Sequence, residues 1–167
     1  MKAQKNNVKR EIVAVLHNVR SLHNVGSIFR TADGAGMKKI YLCGITPSPV
    51  DRFGHFIPQF TKVSLGAECY VEWEKLTSTL RVLKKLKTEG YKILAVEQAR
   101  NSVLYDTSQF RNKVSKLVLV MGAEVGGLPK SILTIADEIL EIPMFGEKES
   151  LNVSVAFGIV AYELNQK

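Results

Sequence analysis

The fold is decided by a strand that runs directly into a glycine-rich loop, Lys116-Leu-Val-Leu-Val-Met-Gly-Ala-Glu-Val-Gly-Gly-Leu-Pro129. Its first half is apolar and rich in β-branched residues, which predicts a buried strand over residues 116–121. Gly122, Gly126 and Gly127 follow, and glycine lets a backbone approach a ligand closely. The spacing matches neither the dinucleotide-binding G-x-G-x-x-G pattern nor a phosphate loop that ends in G-K-[ST]. From these residues alone, a plain glycine turn and a ligand-binding loop both stay open.

Strand and helix patterns alternate on both sides of this stretch. They predict strands over residues 11–17, 39–43, 69–73, 91–97 and 138–142, and helices over residues 25–35, 76–90, 132–136 and 152–164. Residues 44–58 are rich in proline and glycine, which predicts a long irregular loop. The alternation predicts an α/β fold, with a mostly parallel sheet flanked by helices.

The length of 167 residues predicts a single domain over residues 1–167, with a basic, flexible start over residues 1–10. No apolar run approaches the roughly 18 residues that a membrane span needs. The start has no signal-peptide pattern, so we expect a soluble, cytoplasmic protein without a membrane partner. The two cysteines cannot build a disulfide scaffold. The three histidines, His17, His23 and His55, lack ligand-like spacing, so no metal is expected.

The formal net charge is +7, and the excess lies in the first half of the chain. Residues 1–83 hold 12 Lys and Arg against 6 Asp and Glu. Basic clusters occur in residues 2–10, 81–87 and 111–116. Clustered Lys and Arg suit a polyanion such as nucleic acid, but an ordinary solvated surface explains them equally well.

The last predicted helix, residues 152–164, is apolar on nearly every side. Such a helix is buried on more than one face. It lies either deep in the core or against a partner subunit, and the pattern does not choose between these.

A polar cluster, residues 23–33, lies at the first strand-to-helix junction, where parallel α/β proteins place ligands. Arg30 can hold a phosphate through two parallel hydrogen bonds, or can be a surface arginine. Asn24 and Arg30 can share a cleft wall only if the loop before the helix folds back.

Another polar cluster, residues 142–152, leads into the last helix. Ser150 or Asn152 can serve as the N-cap of that helix. Alternatively, both side chains line a pocket whose loop backbone holds a flat heterocycle.

Together the three clusters resemble the three sequence motifs of the SpoU/TrmH family of RNA 2′-O-ribose methyltransferases, in the SPOUT superfamily. The similar segments are Asn24-Val-Gly-Ser-Ile-Phe-Arg30-Thr-Ala, Val120-Met-Gly122-Ala-Glu124-Val-Gly-Gly127-Leu and Ile142-Pro-Met144-Phe-Gly-Glu-Lys-Glu-Ser150-Leu-Asn152-Val-Ser-Val-Ala156. Residues 62–68 also resemble the family's segment after the second strand.

The resemblance implies a C-terminal trefoil knot, S-adenosylmethionine as the cofactor and a homodimer packed through the last helix. It implies methylation of a ribose 2′-hydroxyl in RNA, with tRNA favoured and rRNA possible. A catalytically inactive RNA-binding relative is one alternative. A nucleotide-binding oxidoreductase is another, and the missing dinucleotide pattern argues against it.

The resemblance also assigns roles to individual residues. Arg30 matches the catalytic arginine. The other residues implied in catalysis are Asn24, Glu124, Ser150 and Asn152. The residues implied in cofactor binding are Gly122, Glu124, Gly127, Ile142, Met144, Ser150 and Leu151.

Overall fold

The computed structural model describes residues 10–110 and 114–165. The strands in chain order are β1 (Glu11–His17), β2 (Lys39–Cys43), β3 (Glu72–Leu76), β4 (Lys92–Val96), β5 (Val103–Leu104), β6 (Lys116–Met121) and β7 (Glu138–Glu141). They form one sheet in the order β3-β2-β1-β6-β4-β7-β5, and each of its strand pairs is parallel. The predicted α/β class with a parallel sheet is confirmed.

Helices cover both faces of the sheet. Their bounds are α1 (Leu22–Gly34), α2 (Pro58–Ser64), α3 (Thr79–Thr88), α4 (Lys130–Ile135) and α5 (Val153–Asn165). Helices α1, α2 and α5 pack in one apolar cluster, and α3 and α4 pack in the other. Short 3₁₀ turns occur at Ala67–Cys69 and Tyr105–Thr107.

The central strand β1 explains why its sequence is an unbroken apolar run. Ile12, Ala14 and Leu16 belong to the cluster on the α1 side of the sheet. Val13 and Val15 belong to the cluster on the α3 side. Because successive side chains point to opposite faces, a strand covered on both sides is apolar at every position.

Two differences from the sequence-based expectations bear on the site. Helix α1 begins at Leu22, so Asn24 lies in its first turn and not in the preceding loop. The cap is Ser21, whose hydroxyl accepts a 3.2 Å hydrogen bond from the Asn24 N–H. The second difference is α2, which was not predicted and begins at Pro58, the last residue of the predicted irregular loop. Proline is well suited to the first turn of a helix, because the N–H that it lacks would have no partner there.

The remaining differences lie at the sheet edges. The predicted strand over residues 69–73 is shifted, since β3 runs over Glu72–Leu76 and pairs with β2. Leu76 therefore ends a strand, and α3 begins after its Ser78 cap. The two exposed residues of β5 carry no alternation that a sequence pattern could reveal. The predicted flexible start falls on residues 1–10, of which 1–9 lie outside the described residues.

Within the described part of the chain, no helix combines the length and the apolar character that a membrane crossing requires.

Candidate functional site

A cavity of about 460 Å³ opens at the carboxyl ends of the central strands. Its wall comes from residues 96–98 at the end of β4, residues 121–124 and 127 at the end of β6, and a set between residues 140 and 156 that joins β7 to α5. Loops at this edge are the usual ligand sites of parallel α/β proteins, because they diverge from neighbouring strands. The cavity volume lies within the range of about 300–1,000 Å³ that small-molecule sites occupy.

The glycine-rich loop after β6 folds tightly onto itself at the base of the cavity. A Cβ on Gly122 would lie 2.6 Å from the carbonyl carbon of Gly127, which is too close for any side chain. Gly127 itself has φ +57°, a left-handed conformation that favours glycine. The loop is therefore both a compact turn and a cavity wall, so the two interpretations of the sequence are compatible.

Glu97 is a cavity residue that the sequence reasoning missed. Its carboxylate accepts a 2.8 Å hydrogen bond from the Leu128 N–H and a 3.0 Å bond from the Gln98 N–H. It occupies the space that a Cβ of Gly127 would need. Glu97 thus holds the glycine loop against the end of β4. The available signal was an acidic residue at the end of an apolar strand.

The cavity wall carries negative charge. Glu97, Glu124 and Glu141 line it, and no Lys, Arg or His is among the described residues of the wall. Such a wall favours a cationic ligand and opposes a polyanionic nucleotide. The charge therefore argues against the dinucleotide or ATP site of an oxidoreductase or kinase.

Asn24 joins the three polar clusters at the lip of the cavity. Its Nδ2 donates a 3.0 Å hydrogen bond to Glu124 Oε1. Its Oδ1 accepts a 3.1 Å hydrogen bond from Asn152 Nδ2. The Asn24 residue is only 8% exposed, although both of its partners are exposed. One side chain thereby fixes α1, the glycine loop and the start of α5 relative to one another.

Glu124 is held as a carboxylate by several donors. The N–H groups of Arg20 and Ser21 donate to it at 2.9 and 3.1 Å, in addition to Asn24. Partial burial alone would raise the pKa of Glu124. The hydrogen bonds from the Arg20 N–H, the Asn24 amide, its own N–H and the Ser21 N–H together outweigh burial and lower that pKa.

Asn152 acts as a cap and also contacts the neighbouring motif. Its Oδ1 accepts hydrogen bonds from the Ser154 N–H at 2.9 Å and the Ser154 hydroxyl at 2.6 Å. This is the N-cap geometry that the sequence suggested. The opposite end of the same amide donates to Asn24. Ser150 and Asn152 both also line the cavity, so the cap and the pocket interpretations of this segment are compatible.

The residues that the family resemblance assigned to the cofactor all lie in one place. Each belongs to the wall of this cavity: Gly122, Glu124, Gly127, Ile142, Met144, Ser150 and Leu151. Their role in binding a cofactor stays a prediction.

Arg30 lies elsewhere. It is exposed and lines a separate surface groove with His23, Ser27, Thr31, Lys62, Val63 and Tyr162. Asn24 and Arg30 could share a cleft wall only if the loop before the helix folded back, and this condition is not met, because both residues lie in α1. Six residues along an α-helix turn the direction of the side chain by about 240°, so the two side chains project from different faces.

No group of three or more His, Cys, Asp or Glu side chains suited to a metal ion occurs among the residues that the structure describes.

Comparison with known proteins gives a consistent result. A tRNA (guanosine(18)-2′-O)-methyltransferase from Aquifex aeolicus is 29% identical over 95% of this chain and 71% of its own length. The 23S rRNA (guanosine-2′-O-)-methyltransferase RlmB from Escherichia coli is 33% identical over 89% of this chain. The chain spans only 57% of that relative's length.

Among solved structures, an AdoMet-bound rRNA methyltransferase from Sinorhizobium meliloti superposes with a TM-score of 0.83. It is 31% identical, and the match covers 93% of this chain and 56% of that one. The sequence profile of the SpoU rRNA Methylase family matches residues 11–162, which include the whole cavity wall and Arg30. This protein therefore belongs to the SpoU rRNA methylase family.

Proposed function

We propose that this protein is an S-adenosylmethionine-dependent RNA methyltransferase that methylates a ribose 2′-hydroxyl, most simply in tRNA, with rRNA as the alternative substrate. The observation that carries the proposal is the contact of Asn24 with both Glu124 and Asn152 at the lip of the acidic cavity. This contact assembles all three family motifs around one pocket.

The cavity suits S-adenosylmethionine in size, charge and polarity. The sulfonium and ammonium groups of this cofactor are cationic, and the wall supplies carboxylates. Ile142, Met144 and Leu151 offer apolar surface for a flat heterocycle, beside the closely packed backbone at Gly122. Gly127 and Ser150 complete the set that would hold the cofactor. When bound, it supplies a methyl group on a sulfonium, which is a good leaving group.

The residues of the chain would then position the ribose. The Asn24 and Asn152 amides, fixed by their mutual contact, would orient the hydroxyl, and Glu124 would keep both amides in place. Arg30 lies in its separate groove, so it would reach this ribose across the subunit boundary of a homodimer packed through α5. There it would hold the adjacent phosphate and polarise the hydroxyl, whose proton would leave through that hydrogen-bond network as the methyl group is transferred. A guanidinium is always protonated in proteins, so Arg30 is not the base.

A homodimer through α5 is part of the proposal. On the outward side of α5, Val155 and Tyr162 are each about half exposed, and most of the helix is apolar. An apolar stripe of this kind is stabilised when a second copy covers it. Since Tyr162 also lines the groove of Arg30, a dimer through α5 would bring that groove to the subunit boundary.

The basic clusters differ in how well they suit RNA binding. On α3, Lys87 pairs with Asp137 at 3.5 Å and Lys85 lies 3.9 Å from Glu89, so this face is partly neutralised. The groove lined by Arg30 and Lys62 brings two cationic side chains together. We infer that the RNA backbone follows that groove. Residues 1–9 of the basic start, and Arg111 and Lys113, lie outside the described residues.

We also infer that residues 1–167 form one catalytic unit that acts in the cytoplasm, with a trefoil knot in its C-terminal part. The loops after β4, β6 and β7 contact one another, as a knot in this part of the chain requires. Gln98 Nε2 donates a 2.7 Å hydrogen bond to the Glu149 carbonyl, while Glu97 accepts from Leu128. An experimental structure traced through these loops tests the knot.

The function is tested with labelled S-adenosylmethionine and separate pools of unmodified tRNA and rRNA. Nuclease digestion and mass spectrometry identify the methylated nucleoside. We expect a 2′-O-methylnucleoside from one pool, and we expect Arg30→Ala to abolish it while S-adenosylmethionine affinity is retained. A protein that neither transfers methyl groups nor binds S-adenosylmethionine contradicts the proposal.

A further inference from the structure

Residues 50–56, which we name the aromatic hairpin, expose large apolar side chains to solvent. Phe53 is 69% exposed and Phe56 is 49% exposed. His55 between them is exposed as well. A cluster of exposed rings on one loop marks an interaction site more often than a chance surface.

The hairpin is ordered by its own hydrogen bonds, so its rings are held outward. Asp51 Oδ1 accepts from the Phe53 N–H at 2.8 Å and from the His55 N–H at 3.0 Å. The Asp51 N–H donates to the His55 carbonyl at 2.9 Å, and Val50 and Phe56 form an antiparallel bridge. Gly54 supplies the left-handed turn at the tip, with φ +83°. A preformed surface of this kind binds without a large ordering cost.

The hairpin projects from the same sheet edge as the cavity. Its base is tied to the segment before α1, because the buried Thr46 hydroxyl accepts from the Val19 N–H at 3.1 Å and Asn18 Oδ1 accepts from the Ile45 N–H at 3.1 Å. Its other end continues directly into α2, whose Lys62 lines the groove of Arg30. The aromatic hairpin, α2 and that groove are therefore consecutive along one side of the protein.

The chemistry of the hairpin is that of a nucleobase-stacking surface. The Arg52 guanidinium lies 4.6 Å from the centroid of the Phe53 ring. The rings of Phe53 and His55 lie 6.4 Å apart. Aromatic faces beside a cation bind bases by stacking and the adjacent phosphate by charge. The one carboxylate here, Asp51, is engaged by the two N–H groups and lies 3.7 Å from His55 Nδ1.

We propose that the aromatic hairpin is a platform on which an unpaired base of the RNA substrate stacks against Phe53, while Arg52 contacts the neighbouring phosphate. The proposal rests on the RNA methyltransferase function proposed above and names a recognition surface for it. The net charge of +7 and the cations of the adjoining groove favour RNA over an apolar protein partner.

The test compares variants of Phe53 in the full-length chain. Phe53→Ala removes the ring, Phe53→Leu keeps apolar bulk without a π face, and Phe53→Tyr restores the ring. Tyr70→Ala is the matched control, because Tyr70 is 80% exposed and lies at the amino end of β3, on the opposite edge of the sheet. The probes are a short fluorescein-labelled single-stranded RNA and the unmodified tRNA and rRNA pools.

We expect Phe53→Ala and Phe53→Leu to weaken RNA binding by at least about fivefold, the lower end of what one stacked base contributes. Phe53→Tyr and Tyr70→Ala are expected to bind RNA like the wild type. Arg52→Ala is expected to reduce the salt dependence of RNA binding. S-adenosylmethionine affinity is expected to be the same in every variant, which also shows that each variant is folded.

Unchanged RNA affinity in Phe53→Ala overturns the platform. A loss that appears only together with a change in oligomeric mass also overturns it, since the hairpin would then contact a second subunit. The proposed activity is tested separately. If the wild-type protein binds RNA through Phe53 but transfers no methyl group, the platform proposal is supported and the proposed enzymatic activity is contradicted.

Discussion

Asn24 and Glu124 lie 100 positions apart in the chain, yet Asn24 Nδ2 donates a 3.0 Å hydrogen bond to Glu124 Oε1. Glu124 also accepts from the Arg20 and Ser21 N–H groups, so the start of α1 is attached to the glycine loop at three points. The contact fixes the lip of the cavity independently of any ligand. Substitutions at this contact should therefore change the free energy of unfolding as well as activity.

Asn24→Asp is expected to be more harmful than Asn24→Ala. Aspartate places a second carboxylate against Glu124 and cannot donate to it, whereas alanine only removes the bonds. Glu124 and Asn152 are exposed to water, so we expect the loss for Asn24→Ala to lie near the lower end of the about 1–3 kcal/mol of unfolding free energy that an unmade buried hydrogen bond costs. Urea unfolding measures the free energy of unfolding of both variants, and Asn101→Asp is the control at an exposed position. If Asn24→Asp is as stable as the wild type, the contact contributes little.

Gly122→Ala is expected to lower S-adenosylmethionine affinity by at least about tenfold, because the added methyl group overpacks the loop. Its Cβ would clash with the backbone of Gly127. The matched control is Gly146→Ala, in which the added Cβ meets no atom within 4 Å. Calorimetric titration of both variants checks the prediction. Equal affinities would mean that the glycine loop is not part of the cofactor site.

Glu97→Gln is expected to weaken binding of S-adenosylmethionine more than binding of S-adenosylhomocysteine. The second ligand lacks the sulfonium charge, so loss of a wall carboxylate acts mainly on the first. We expect the ratio of the two dissociation constants to change by at least about threefold. Titration with both ligands measures the ratio. An equal loss for both ligands would indicate that Glu97 acts only by supporting Leu128.

The stability of the folded protein is expected to depend on pH through His17. Burial lowers the pKa of His17. Its Nε2 lies 3.1 Å from Asn18 Nδ2, a donor, so Nε2 accepts and the Nδ1–H donates to Thr79 Oγ1 at 2.7 Å. The folded protein therefore holds a neutral ring, while the unfolded chain takes up a proton near the ordinary pKa of about 6.5.

The contribution of neutral His17 to the free energy of unfolding is therefore fully present above about pH 6.5. It is lost as the pH falls toward the lower pKa of His17 in the folded state. Thermal unfolding across this range measures the loss. His17→Gln is expected to flatten the profile. A profile that is the same in His17→Gln and the wild type would contradict the assignment.

Val155→Glu is expected to yield a monomer. It places a charge in the half-exposed apolar stripe of α5 that the proposed dimer covers. Light scattering after size exclusion measures the mass, and Tyr70→Glu, on a distant surface, is the control. An unchanged dimer in Val155→Glu would move the interface away from this stripe.

Sequence patterns correctly located the strands that are buried on both faces of the sheet. Strands β1 and β6 are covered on both faces, so their apolar runs are unbroken and their ends were predicted correctly. The edge strand β3 and the short β5 carry mixed or exposed side chains, since only part of each faces the core. Their position depends on pairing with β2 and β7, which a local pattern does not contain.

The sequence by itself determined the parallel α/β class and the residues of the three motifs, because periodicity and residue chemistry are local properties. Only the tertiary structure decided which of those residues meet. In the tertiary structure, Asn24 contacts Glu124 and Asn152 at the lip of the cavity. Arg30, in the same helix, lines a separate surface groove. The tertiary structure also added Glu97 and exposed the aromatic hairpin. The separation of Asn24 and Arg30 follows from their six-residue spacing only once α1 is known to include both residues. The contacts of Asn24 with Glu124 and Asn152 join segments that are distant in the chain, which a local pattern does not contain.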